Sequence, residues 1–135
     1  MRIVLSILPL FLSISLVAQI EKTIHQTFSL DSIDRVELNL TGEIIYETWS
    51  GASVLTETNI QLYNASKDLL KHFVEKQERY KIEEQRSSPS LNLASTEVDR
   101  RPIQYRGRVC DETVSIKVYV PEEFEISGNS LRRKD

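Results

Sequence analysis

The chain has a single cysteine, Cys110, in 135 residues, so no disulfide can form within it. It has two histidines, His25 and His72. A catalytic triad would have to take its base from one of them. Each stands alone, with no cysteine at metal-ligand spacing, so structural zinc is also excluded; both read as surface side chains. Four glycines, scattered singly, leave no loop that could cradle a phosphate. Basic excess is lacking too. Seventeen Lys and Arg face twenty Asp and Glu, a net charge of −3, which gives the protein no electrostatic reason to seek nucleic acid or anionic lipid. The short clusters Arg100-Arg101 and Arg132-Arg133-Lys134 are flanked by Asp99 and Asp135 and read as solvated loop and tail.

Long apolar runs are absent apart from one. Residues 3–17 are uncharged and mostly apolar, but about fifteen residues fall short of the ~20 that a membrane-spanning helix needs, and Pro9 interrupts them. Arg2 precedes the run, Ala18 offers a small residue at its exit, and a polar stretch opens at Gln19. That layout is a cleavable secretory signal over residues 1–18. Positions 19 to 21 are Gln, Ile and Glu rather than the cysteine that lipid anchoring requires. The expected product is a periplasmic or secreted protein with no stable membrane span after cleavage. It comprises a single β-rich domain over 19–126 and a flexible C-terminal tail over 127–135.

Most of that domain alternates with a period of two. Val36, Leu38 and Leu40 face one way in the run 35–41. In 43–49, Ile44, Tyr46 and Thr48 oppose Ile45, Glu47 and Trp49. Val54, Thr56, Thr58, Ile60 and Leu62 share a face in 53–63, and a strand around Phe28 precedes them all. The cleanest run is 113–120, where Val114, Ile116, Val118 and Val120 alternate without a break. Further strands are expected at 80–84 and 91–95, followed by a charged, mobile loop over 96–108. One segment differs. Over 66–77, Leu69, Leu70, Phe73 and Val74 form a helical stripe, Ser66 can cap it, and Lys71–Glu75 and Glu75–Arg79 are spaced as surface ion pairs. The fold class is therefore mainly β, with short antiparallel strands in a two-layer sandwich or short solenoid and one surface helix near 66–77.

The acids Asp31/Asp34, Glu83/Glu84, Asp111/Glu112 and Glu122/Glu123/Glu125 fall in turns or at strand ends, where solvation accounts for them. None has calcium-loop spacing. Cys110 reads as a buried, inert thiol, and Trp49 and Tyr119 as core or sheet-face aromatics. Asn39 and Asn64 match the glycosylation triplet, in a strand and just before a helix cap, where chance suffices. No catalytic, cofactor-binding or metal-ligating residue emerges, and no cofactor is implied.

The pattern of Phe28, 36–40, Ile44-Ile45-Tyr46 and Thr48-Trp49-Ser50-Gly51-Ala52-Ser53-Val54 resembles the opening of an adhesin-like exported bacterial family of unknown function. The stretch 114–121 is similar to a later strand of that family, which ends in Tyr-Val-Pro. The resemblance spans about 28–126 and departs from the family at the helix beginning near Ser66. It implies stacked short strands and an adhesin-like binding or scaffolding role without catalysis, with a protein or glycan of the cell envelope as partner. It carries no catalytic residue. The competing readings are a small periplasmic hydrolase using carboxylates and an apolar-ligand carrier built as a closed barrel. Export is tested by N-terminal sequencing of protein recovered from the envelope or medium: the chain should begin near Gln19, and an intact Met1 in a membrane pellet would rule the signal out.

Overall fold

The alternating runs of the sequence become strands in the computed structural model, which describes residues 19–135. The expected leader, 1–18, lies outside the described residues. In chain order the elements are β1 (Gln19–Ser29), β2 (Arg35–Asn39), β3 (Glu43–Trp49), β4 (Ser53–Tyr63), α1 (Lys67–Lys71) continued by a π-helical turn (His72–Lys76), β5 (Ile82–Ser87) and β6 (Ser90–Ser95). After them come β7 (Ile103–Tyr105), β8 (Arg108–Cys110), β9 (Glu112–Pro121), β10 (Phe124–Ser127) and β11 (Ser130–Arg133). A first sheet runs β1-β4-β9-β3, a second β10-β11-β2-β6-β5, and β7 and β8 form a ribbon. The described residues are mainly β, with one short helix and no closed barrel among them.

The first sheet is long, and its inner face is divided between two partners. Phe28, Val54, Ile116, Val118 and Val120 pack on Val36, Leu38, Leu91, Leu93, Phe124 and Leu131 of the second sheet. Farther along the same strands, Ile60 and Leu62 are covered instead by Leu70, Tyr80, Ile103 and Cys110, with Leu69, Phe73 and Val74 of the helical segment alongside. Val114 touches both cores. Thr56 and Thr58 occupy inward positions of β4 and are fully buried. Gln26 ties the layers together: its amide donates to the Ile82 carbonyl (3.0 Å) and accepts from the Ile82 N–H (2.9 Å), standing in for a strand residue between β1 and β5.

Ser66 caps α1 as expected, its hydroxyl accepting from the Leu69 N–H at 3.1 Å. Beyond Lys71 the ladder widens to a π turn, closed by Gln77 N–H to the His72 carbonyl at 3.1 Å. The expected Lys71–Glu75 and Glu75–Arg79 ion pairs are not among those formed. Glu78 follows at positive φ (49°), and Arg79 is turned inward, away from the wet face.

Three expectations change. Two pairings, β2 with β6 and β3 with β9, are parallel, so the sheets are mixed rather than antiparallel throughout. In both cases long excursions, not hairpins, separate the partners, and a crossover permits parallel alignment. The charged stretch expected as a mobile loop over 96–108 contains β7 and most of a tight hairpin, with Tyr105 opposite Arg108 and Ile103 buried.

The stretch 127–135, expected to be a flexible tail, instead carries β11. The two-residue turn Gly128-Asn129, with Gly128 at φ 60°, folds it back on β10, and Leu131 pairs with Val36 at zero exposure. One buried leucine on the inner face, with a hairpin partner on one side and β2 on the other, outweighs the charge of its neighbours. Ile116 and Leu131 are both fully buried, so Ile116→Ala and Leu131→Ala should each cost about 2–5 kcal/mol in a denaturant melt. Deleting 127–135 should lower the midpoint at least as much as Leu131→Ala. An unchanged midpoint after deletion would restore the flexible tail.

Candidate functional site

Among the described residues, buried charge is concentrated where the two cores meet. Glu112 opens β9 on the same parity as Val114, Ile116, Val118 and Val120, so its side chain points inward with theirs. There it meets Arg79, which donates to both carboxylate oxygens, Nε to Oε2 at 3.0 Å and Nη2 to Oε1 at 2.9 Å. The Tyr80 hydroxyl donates to the same Oε2. Arg79 Nη2 also donates to the Arg101 carbonyl (2.7 Å), and Nη1 lies 3.6 Å from Glu97. Arg100 completes the group. It donates to the carbonyls of Thr41 (3.0 Å) and Arg79 (3.4 Å), and its guanidinium lies 5.3 Å from the centre of the Tyr80 ring. Its Nη2 is buried and meets no acceptor among the described residues.

Charge and burial compete at each member. Burial alone would push the Glu112 carboxyl up, but the hydrogen bonds of Arg79 and Tyr80 and the charges of Arg79 and Arg100 hold it below the usual range. Burial alone would lower Arg79, and Glu112 outweighs it. Burial, reinforced by Glu112, pushes the Tyr80 phenol well up, and burial lowers Arg100. Chemically this is a clamp. The carboxylate is held ionised, the phenol protonated and the arginine charged, so no member is poised to exchange a proton near neutrality.

The second feature is the outer face of the first sheet. Trp49 and Tyr119 lie there with ring centroids 5.9 Å apart at 54°. Trp49 is held rigidly. Its indole N–H donates to the Ser53 carbonyl at 3.0 Å, and the ring lies so close over Gly51 that a Cβ there would sit 2.3 Å from it. Around the aromatics are half-buried Leu55, exposed Ile45, and the pairs Lys117–Glu47 (3.5 Å) and Tyr119 hydroxyl to Glu57 (3.3 Å). His25 Nε2 lies 4.0 Å from Glu57 on the same face.

The residues singled out from sequence are otherwise dispersed. His25 and His72 are exposed, as are Asp31, Asp34, Glu83, Glu84, Asp111, Glu122, Glu123 and Glu125. Glu112 corrects the solvated reading of its pair: it is drawn inward by the alternation of its own strand. Cys110 is buried and unpaired, donating to the Asn64 carbonyl at 3.3 Å, and burial raises its thiol pKa, which keeps it protonated and inert. The Asn39 amide donates to Asn92 on the next strand. Trp49 and Tyr119 are sheet-face aromatics, not core. Among the described residues no three His, Cys, Asp or Glu side chains gather as a metal site, and no helix is long and apolar enough to cross a membrane. Arg79, expected in a surface pair with Glu75, is buried, and Arg100, expected in a solvated loop, is half-buried against Tyr80. Both correct the sequence reading, since nothing local marks which arginine is drawn inward, and Tyr80 is not singled out by sequence at all. Glu112 was within reach by extending the alternation one step upstream. No family model, curated protein or solved structure matches this chain.

Because the folded-state pKa of Glu112 lies below its unfolded value, its contribution is present in full above the ordinary glutamate range, about 4.3. It is lost as pH falls through the lower folded value. Glu112→Gln leaves Arg79 buried without its counter-charge and should cost about 3–5 kcal/mol at neutral pH. Urea melts across the acid range check both points: the variant should lose less stability on acidification than the parent. Equal acid slopes would remove Glu112 from the clamp.

Proposed function

We propose that this is an exported, non-enzymatic envelope or secreted protein that binds or scaffolds, in the manner of the adhesin-like family its sequence resembles, and that it does so through the outer face of the first sheet. The observation that carries the reading is Trp49, the chain's single tryptophan, fixed over Gly51 by its own hydrogen bond and set beside Tyr119 on a face that no other layer of the described residues covers. Rigid aromatics lose little entropy on contact and are the residue type that anchors binding surfaces. The bordering Lys117, Glu47 and Glu57 offer donors and acceptors to a protein or glycan partner. An N-terminal run with the layout of a secretory signal supports a partner in the cell envelope or outside the cell.

The chemistry of the buried clamp favours this reading over a hydrolase. Glu112 is pulled away from the raised pKa that a general acid needs, and its oxygens are already occupied by Arg79 and Tyr80. A carrier needs an empty closed barrel, whereas here the sheets are open and apolar side chains fill the space between them.

The test uses immobilised protein exposed to solubilised envelope proteins and, separately, to an array of envelope glycans. The parent should retain a defined partner, and Trp49→Thr combined with Tyr119→Thr should lose it while a melt shows the variant folded. Retention by the folded double variant, or no retention by the parent, would count against this face.

A further inference from the structure

The two edges of the first sheet are treated differently by the rest of the protein. On the β1 side, the Gln26 amide spans to both backbone groups of Ile82, and Arg86 Nη2 donates to the Ser29 carbonyl at 2.8 Å, so β5 is stitched to that edge. On the other side β3 pairs with β9 along seven residues, Glu43 with Ser115 through Trp49 with Pro121, without a bulge. No backbone hydrogen bond from another described segment reaches its free side. The strand has no proline and no lysine, and Ile45 on it is 42% exposed. An open, unbulged edge of this length is a template for another strand.

We infer that β3 is a self-association edge, pairing antiparallel with β3 of a second copy about a two-fold axis at Tyr46 to make one continuous eight-stranded sheet. The strand's own charges select that register. A two-fold axis normal to the sheet pairs each residue with one of the same parity, so inner faces stay with inner faces. Centring on Ile45 would set Glu43 against Glu47, and centring on Glu47 would set that residue against itself; like charges directly opposite are destabilising. Centring on Tyr46 overlaps all seven residues and puts Glu43 opposite Trp49, Ile44 opposite Thr48, and Glu47 opposite Ile45. No acid then faces an acid. Lys117 lies beside Ile45 in the β9 register, so each Glu47 arrives one strand away from the partner copy's lysine, a complementary charge on both sides of the axis. The joint is isologous and closes at two copies. It uses no residue of the buried clamp and stands whether or not the outer face binds a partner.

Sedimentation velocity of the full chain at rising concentration tests the pairing, with two variants at the exposed Ile45. The parent should shift from monomer towards dimer. Ile45→Glu sets a carboxylate opposite Glu47 twice and should leave only monomer. Ile45→Lys sets a cation there and should keep the dimer, with the melting midpoints of both variants confirming that they fold. A parent that stays monomeric throughout leaves β3 free or for another protein's strand and overturns the inference. A dimer that survives Ile45→Glu, or one that both variants abolish alike, overturns it as well.

Discussion

Glu112 bonds to Arg79 and Tyr80 at the point where the protein changes partners. One sheet eleven residues long cannot be covered by the shorter strands of the second sheet, so its far half needs another lid, and the helical segment with the β7–β8 ribbon supplies it. A seam between two such covers brings backbone ends into the interior: the carbonyls of Thr41, Arg79 and Arg101 all lie there. Two arginines satisfy those carbonyls, and Glu112, with Glu97 3.6 Å from Arg79, offsets part of their charge. The clamp is thus a consequence of covering a long face with two short layers.

Such a centre specifies more than it stabilises. A buried ion pair roughly offsets its own desolvation, and removing one partner costs far more than replacing both. Its value here is positional. Arg79 fixes the exit of the π turn, Arg100 fixes the 96–102 connection against β2's exit, and Glu112 sets where β9 begins. With those three points pinned, β9 enters the sheet in the register that brings Ile116, Val118 and Val120 onto the second sheet and Tyr119 onto the outer face beside Trp49. The buried clamp and the outer aromatic pair share one strand, β9, which opens on Glu112 and carries Tyr119.

The outer face and the free β3 edge belong to the same sheet but ask different things of a partner. The face offers fixed rings bordered by charged side chains, and selectivity there would lie in side-chain chemistry. The edge offers backbone groups, and its selectivity lies in register. Pairing two copies through the edge would extend the face without altering it, placing the Trp49–Tyr119 pairs of the two copies on one surface.

Much of the fold was legible because side-chain alternation is a local property. Period two placed Val54 through Leu62 and Val114 through Val120 on buried faces, and Ser66 with its apolar stripe placed the helix, since both patterns repeat within a few residues. The hairpin at Gly128-Asn129 is also legible in principle, a glycine-led two-residue turn between Ile126 and Leu131, but the charge around it points to a flexible tail. Partner choice was not legible. The parallel pairing of β2 with β6 and of β3 with β9, the division of one sheet face between two covers, and the burial of Arg79 and Arg100 but not Arg101 depend on residues far apart in the chain. Which side chains share a face follows from local alternation alone. Which faces meet and which charges are trapped between them is settled in three dimensions, because desolvation and pairing act through space and leave no period along the chain.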